Sequence, residues 1–153
     1  MTHTINFYGV RDPYGQLSNF APYPIEMDGL VWPTSEHYFQ GQKFVGTPQA
    51  EVIRSATGGW AAAKAGRSRK YPMREDWSKE RDEAMRRALC AKFTQHDSLR
   101  ELLMATGDAR LVEHTAKDSY WGDGGDGSGR NRLGELLMEL RDQLRRPPCG
   151  HSR

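Results

Sequence analysis

The stretch MDGLVWPTSEHYFQGQKFV, residues 27–45, changes backbone regime part-way along. Asp28-Gly29 between apolar flanks predicts a two-residue hairpin turn, with a short strand on either side. Pro33 followed by Thr34 or Ser35 then predicts a helix entry, with the helix running from Glu36 to about Val45. Strand chemistry therefore lies before this stretch and helix chemistry after it.

Upstream, INFYG (5–9) has β-forming composition, while RDPYG (11–15) and APYP (21–24) are turn chemistry. Downstream, Thr47-Pro48 opens a second helix that Gly58-Gly59 is expected to end. WAAAKAG (60–66) reads as a short Ala-rich turn stopping at Gly66. Ser78 is expected to cap a longer helix whose core face carries Met85, Leu89 and Phe93. SLRELLMATG (98–107) reads as a helix closed by Gly107, and ARLVEHT (109–115) as a return strand of period-two character. A last helix from about Arg130 to Arg145 carries Leu133, Leu136, Leu137, Leu140 and Leu144. Helices do not alternate regularly with strands, so the fold class is α+β rather than doubly wound. One compact domain is expected over 1–145, with short strands in its N-terminal part and a mostly helical remainder. A disordered basic tail over 146–153 follows it.

The chain has 153 residues, 37% hydrophobic and 27% charged, enough for one domain with its own core. Its 22 basic and 20 acidic side chains give a formal net charge of +2, too balanced to indicate nucleic-acid binding by charge. No apolar run of about 18 residues is present, and no membrane association is expected. The N-terminus lacks a basic region followed by an apolar stretch, which speaks against secretion. Two cysteines, Cys90 and Cys149, make no disulfide framework and fit a reducing cytoplasm. Cys90 reads as a small buried hydrophobe. In the tail, Cys149 and His151 are too few for a metal site. The five histidines show no ligand spacing, and neither metal nor cofactor is expected.

Three segments could carry chemistry. Glu36, Gln40 and Lys43 stand at i, i+4 and i+7, on one helical face. Glu36 and Lys43 are roughly 10.5 Å apart along the axis, too far for a simple ion pair but able to frame one ligand. The opposing reading is a solvated polar stripe. His37, turned away from that face, reads as structural. The glycine-rich KDSYWGDGGDGSGRNRLG (117–134) matches G-x-G-x-x-G at Gly122, Gly124 and Gly127. No βαβ unit surrounds the match, and Asp123 and Asp126 would repel a pyrophosphate. An EF-hand fails because Gly134 stands where a bidentate Glu is needed. Asp118 and Trp121 before the loop, with Asn131 at the mouth of a helix, suit a site that stacks a base and holds a sugar. GRSRKYPMREDW (66–77) supplies Arg67, Arg69, Lys70 and Arg74 for a phosphate, closed by Asp76 and Trp77.

LSNFAP, SEHYFQGQKF, GR, DW, the spacing from Met85 to Phe93, LLMATG, LVEHTAKDSYWG and GRNRLGELLMELR occur in that order. Their order and spacing resemble the NADAR domain family, in particular its stand-alone YbiA-like subgroup, from about Ile5 to Leu144. The lengthened, Asp-rich loop at 123–129 is the one local departure. The resemblance implies hydrolysis of an N-glycosidic bond between a ribose and the amine of a base. Its two substrate classes are ADP-ribose on guanine, in nucleic acid or nucleotide, and ribosylamino-pyrimidine intermediates of riboflavin synthesis. It implies Glu36, Lys43 and Asp118 as catalytic residues. Asn19, Arg67, Trp77, Trp121, Gly122 and Asn131 are the expected substrate-binding set. The partner is then a small phosphoribosyl or ADP-ribosyl amine, or ADP-ribosylated DNA or RNA. Such a glycosylamine can open to an imine, which a neutral Lys43 could attack to form a Schiff base. Direct hydrolysis between two carboxylates is the competing route. A non-catalytic ADP-ribose-binding module is the alternative from another class.

Overall fold

Asp28 and Gly29 both adopt left-handed backbone, with φ of 55° and 81°. They close the antiparallel hairpin of β2 (Ile25–Met27) and β3 (Leu30–Trp32), in which Ile25 faces Trp32 and Met27 faces Leu30. Positive φ at both central residues gives a turn whose twist matches that of the strands. The hairpin is as the sequence predicts. This computed structural model describes residues 3–146. Of the expected tail only Arg146 is included; Cys149 and His151 lie outside the described residues. The chain divides into two units, one from Asn19 to His96 and one joining the residues up to Ser18 with those from Asp97 onward.

The Asn19–His96 unit is built around α1 (Ser35–Gln42), all eight residues of which are buried. Thr34 caps it, its Oγ1 accepting the His37 amide at 3.1 Å. Three further helices pack on it: α2 (Pro48–Arg54), α3 (Gly58–Gly66) and α4 (Trp77–Gln95). One cluster joins Ile25, Trp32, Tyr38, Ala88 and Ala91; another joins Phe44, Ile53 and Ala62. Gly41 lets the Trp32 ring lie on the helix, since a Cβ there would stand 2.6 Å from its Cζ3. Truncating an aromatic so enclosed costs about 3–5 kcal/mol. Gln95, at the end of α4, accepts from the Glu26 amide and donates to its carbonyl, both at 2.8 Å. One side chain thereby supplies the exposed edge of β2 with the bonds a further strand would make.

Several boundaries differ from the sequence reading. α1 stops at Gln42, where Lys43 and Phe44 turn their amides back to Gln40 and Gly41 in a tightened last turn. Gly58-Gly59 opens α3 instead of closing α2, and WAAAKAG is helix. A Cβ at Gly59 would lie 3.1 Å from the Phe20 Cα, so this glycine answers a tertiary approach. α4 begins at Trp77, with Asp76 in the N-cap position expected of Ser78. Cys90, expected to be buried, is exposed.

In the other unit, β1 (Thr4–Phe7) pairs in parallel with β4 (Arg110–Glu113), Ile5 opposite Leu111. Leu111 and Val112 are both buried, so β4 is covered on two faces and lacks the expected alternation. α5 (Asp97–Ala105) ends ahead of Gly107, whose φ is 64°. α6 (Arg132–Arg145) buries Leu133, Leu136, Leu137 and Leu140, while Leu144 is half-buried. Its buried Arg141 donates to Thr106 Oγ1 and the Ala109 carbonyl at 2.9 and 2.8 Å. The α+β class stands. Among the described residues, no helix is long and apolar enough to cross a membrane.

Lys92 of α4 is wholly buried, its Nζ 5.9 Å from the Tyr23 ring centre and 5.3 Å from that of Phe93. Burial pushes its amine down to about 7. Between there and the usual lysine value of about 10.4, the unfolded chain holds the proton more tightly, so stability rises with pH across that window. Urea unfolding at about pH 7 and about pH 9 should show a larger gain for the native protein than for Lys92→Met. Equal gains would contradict this.

Candidate active site

Asn19 fixes the entry to α1. Its carbonyl accepts the Glu36 amide at 3.2 Å, and its side-chain Oδ1 accepts from Ser35 Oγ at 2.8 Å. Its Nδ2 faces the Met85 sulfur at 3.3 Å, and the residue is 6% exposed. Glu36 therefore stands in the first helical turn, where the unpaired amides and the helix dipole favour a carboxylate. One turn on, Gln40 Nε2 donates to Glu36 Oε2 at 2.7 Å.

Glu36 is 6% exposed and Gln40 3%, so the face is not a solvated stripe. Gln40 Oε1 is buried with no hydrogen-bond partner among the described residues. The end of α3 leaves no room beside it. A Cβ on Gly66 would stand 2.1 Å from Gln40 Oε1 and 2.7 Å from its Cβ. Only glycine permits this approach.

Lys43 follows α1, and its Nζ donates to the Gly66 carbonyl at 3.2 Å. Desolvation by burial lowers the pKa of its amine. The Glu36 charge raises it, and the Arg67 charge lowers it again. The combined effect is downward, toward a neutral amine nearer physiological pH. Arg67, exposed, is the C-cap of α3 and so follows Gly66 directly. The Lys43 carbonyl also accepts the Arg74 amide at 2.9 Å, bringing the basic segment back to the end of α1. Arg74 itself forms a fork with Asp76, at 2.6 and 3.0 Å, whereas Arg67, Arg69 and Lys70 are exposed.

Two residues of this unit are held for structural ends. His37 is fully buried, its Nε2 at 2.9 Å from the Ala56 carbonyl and its Nδ1 at 2.7 Å from Thr34 Oγ1. These partners put the proton on Nε2, and burial lowers the imidazole pKa against the Ala56 bond, which raises it. Trp77 is 8% exposed and tilted onto Phe39, ring centres 5.1 Å apart.

Asp118, Trp121, Gly122 and Asn131 belong to the other unit. Asp118 Oδ1 accepts the amides of Tyr120 and Trp121 at 2.9 and 2.8 Å, so the carboxylate shapes the turn that bears the tryptophan. Trp121 is half-buried and edge-on to Tyr120. Gly122 is buried, and a Cβ there would meet the Asp118 and Glu113 carbonyls, each at 2.9 Å. Asn131, in left-handed backbone, accepts from the Glu113 amide at 3.0 Å and donates to the Leu111 carbonyl at 2.9 Å. It stitches β4 to the start of α6. The acidic residues of the loop act as staples: Asp123 accepts the Thr115 and Gly125 amides, and Asp126 those of the Ser128 amide and hydroxyl.

The structure thus brings Glu36, Gln40, Lys43 and Arg67 together. Sequence reasoning missed Gly66 as the residue that permits it, and Phe20 and Trp60 beside the start of α3. The GGW run was the available signal, since a tertiary approach can require a glycine where a helix stop is also plausible.

This fold and site define a family. The NADAR domain model matches residues 6–145, and the chain belongs to that family. The N-glycosidase YbiA of Escherichia coli (strain K12) is 57% identical over 140 residues, which cover 92% of this chain and 88% of that one. A riboflavin biosynthesis protein of Vibrio vulnificus (strain YJ016) is 43% identical over 144 residues, 94% of this chain but 39% of that longer protein. The NMR structure of E. coli YbiA matches with a TM-score of 0.86 at 53% identity, covering 99% of this chain and 94% of that one.

Gly66→Ala tests the close approach of α3 to Gln40. Overpacking of this kind costs about 1–3 kcal/mol, so urea unfolding should show that loss. Native-like stability would mean that the two helices are not in contact there.

Proposed function

We propose that this protein hydrolyses the N-glycosidic bond between a ribose, bearing phosphate or ADP, and the amine of a base. The observation that carries the reading is a buried carboxylate in α1 with a half-buried lysine of lowered pKa at the end of the same helix. The names of its relatives, N-glycosidase and riboflavin biosynthesis protein, point the same way.

In the proposed course, the ribose ring opens to an imine at C1′, the ring oxygen becoming the C4′ hydroxyl. The neutral Lys43 amine adds to C1′, and the C1′–nitrogen bond to the base breaks. One Lys43 proton passes to the base nitrogen on addition and Glu36 gives it a second as it departs, leaving Lys43 joined to the sugar as a protonated Schiff base. Water then adds to C1′, returns a proton to Glu36 and frees both Lys43 and the sugar. The sum is base-amine glycoside plus water giving base amine plus free sugar, and no metal or cofactor enters it. Gln40 holds Glu36 in place. Arg67 serves twice, as a cation for the substrate phosphate and as a charge that lowers the Lys43 pKa.

Asp118 shapes the turn that bears Trp121 in its own unit, and a part for either in substrate handling is proposed on the family resemblance alone. Asn19 and Asn131 we read as ties that hold backbone in place, and Trp77 as support for Phe39. ADP-ribosylated guanine and ribosylamino-pyrimidine phosphates are the two proposed substrates. Cys90 is a free thiol, in keeping with action in the cytoplasm.

Incubation with a guanine-ADP-ribosylated oligonucleotide and with a ribosylamino-pyrimidine 5′-phosphate should release free sugar from at least one. Glu36→Gln should lower the rate by several powers of ten with the fold retained. Borohydride should trap a sugar adduct that disappears in Lys43→Ala. ADP-ribose binding without turnover of either substrate would make this a binding module instead. In addition, Arg67→Gln removes a charge that lowers the Lys43 pKa. The rising limb of the pH–rate profile should therefore move to higher pH, and an unmoved limb would remove Lys43 ionisation from the rate.

A further inference from the structure

Trp60 is 64% exposed, whereas Trp32 and Trp77 of the same unit are at 4% and 8%. It sits in the first turn of α3, its ring centre 6.5 Å from that of the half-buried Phe20 and inclined at 39°. The two rings are too far apart and too tilted for a close face-to-face stack, and the larger one presents its surface outward. Gly59 sets the pair, because any side chain there would push against Phe20.

The position of the pair distinguishes it from scattered surface aromatics. Phe20 follows Asn19, whose carbonyl holds the Glu36 amide. Gly59, at the start of α3, therefore lies beside the Glu36 end of α1, and Gly66, at its finish, lies against Gln40 and Lys43. α3 runs along α1 in the same sense. The aromatic pair marks one end of the candidate site, and Lys43 with Arg67 marks the other. From Trp60 to Arg67 the helix rises about 10.5 Å. That separation exceeds a ribose ring, as the length from a base on C1′ to a phosphate on C5′ must.

We propose that Phe20 and Trp60 form the base subsite, so that substrate lies with its flat base on the Trp60 ring and its phosphate toward Arg67. This inference rests on the N-glycosidase reading above for its ligand, and it adds the substrate's direction along α1. Stacking tolerates any planar base, which suits both a guanine and a pyrimidine leaving group.

The test is equilibrium binding to the full chain, with guanosine 5′-monophosphate as a ligand carrying a base and ribose 5-phosphate as one without. Trp60→Ala should weaken guanosine 5′-monophosphate by about ten- to a hundred-fold, the worth of one base stacked on an aromatic. Ribose 5-phosphate should change less than two-fold, and Trp60→Tyr should restore most of the difference. Arg67→Gln should weaken both ligands alike. The subsite is overturned if Trp60→Ala leaves guanosine 5′-monophosphate unchanged or weakens both ligands equally, and equally if the native protein shows no preference for the ligand with a base. The turnover assay on the native protein reports separately: no free sugar with base-dependent binding intact would end the hydrolase reading while leaving the subsite in place.

Discussion

The burial of α1 is the constraint on which the Asn19–His96 unit depends. Eight residues long, the helix is buried throughout, and five of its side chains are polar: Ser35, Glu36, His37, Gln40 and Gln42. A polar group taken out of water costs free energy unless it is paired inside the protein. Ser35 therefore reaches Asn19, His37 reaches Ala56 between α2 and α3, and Gln40 reaches Glu36. The first two bonds tie other segments to the helix, and the third closes within it. The surrounding architecture follows from meeting these needs as much as from the apolar clusters of Tyr38 and Phe44.

The same constraint shapes the chemistry. A lysine on a wet helix face would keep a nearly ordinary pKa and little preorganisation. Enclosed between α1 and α3, Lys43 loses solvation and feels the Arg67 charge, both of which favour its neutral form against the pull of Glu36. Gly66 makes that enclosure possible by having no side chain.

Local chemistry was legible where the cause is local. Asp-Gly needs left-handed backbone, so the hairpin could be read from two letters; Thr34 caps its own helix; the leucines of α6 repeat at helical period. The limits appear where a distant neighbour decides. Gly58-Gly59 carries the same letters whether it ends one helix or starts the next, and Phe20, some forty positions away, determines which. Asn19 and Asn131 have the composition of sugar ligands, yet the Asn19 amide is taken up by the Ser35 hydroxyl and the Met85 sulfur, and the Asn131 amide by the Glu113 amide and the Leu111 carbonyl. The burial of Cys90 was misread because helical propensity says nothing about which way a small side chain turns.

What the sequence by itself determined is the α+β class, the order of most elements and the alignment of Glu36, Gln40 and Lys43 on one face. These follow from dihedral preferences and from a helical period of about 3.6 residues, which act over a few neighbours. Only the tertiary structure decided that this face is buried, that α3 lies against it, that β1 pairs in parallel with β4, and that Trp60 is left exposed at the Glu36 end. Solvation is the physical reason: whether a side chain is wet or dry depends on segments remote in the chain, and that sets both its charge state and its role.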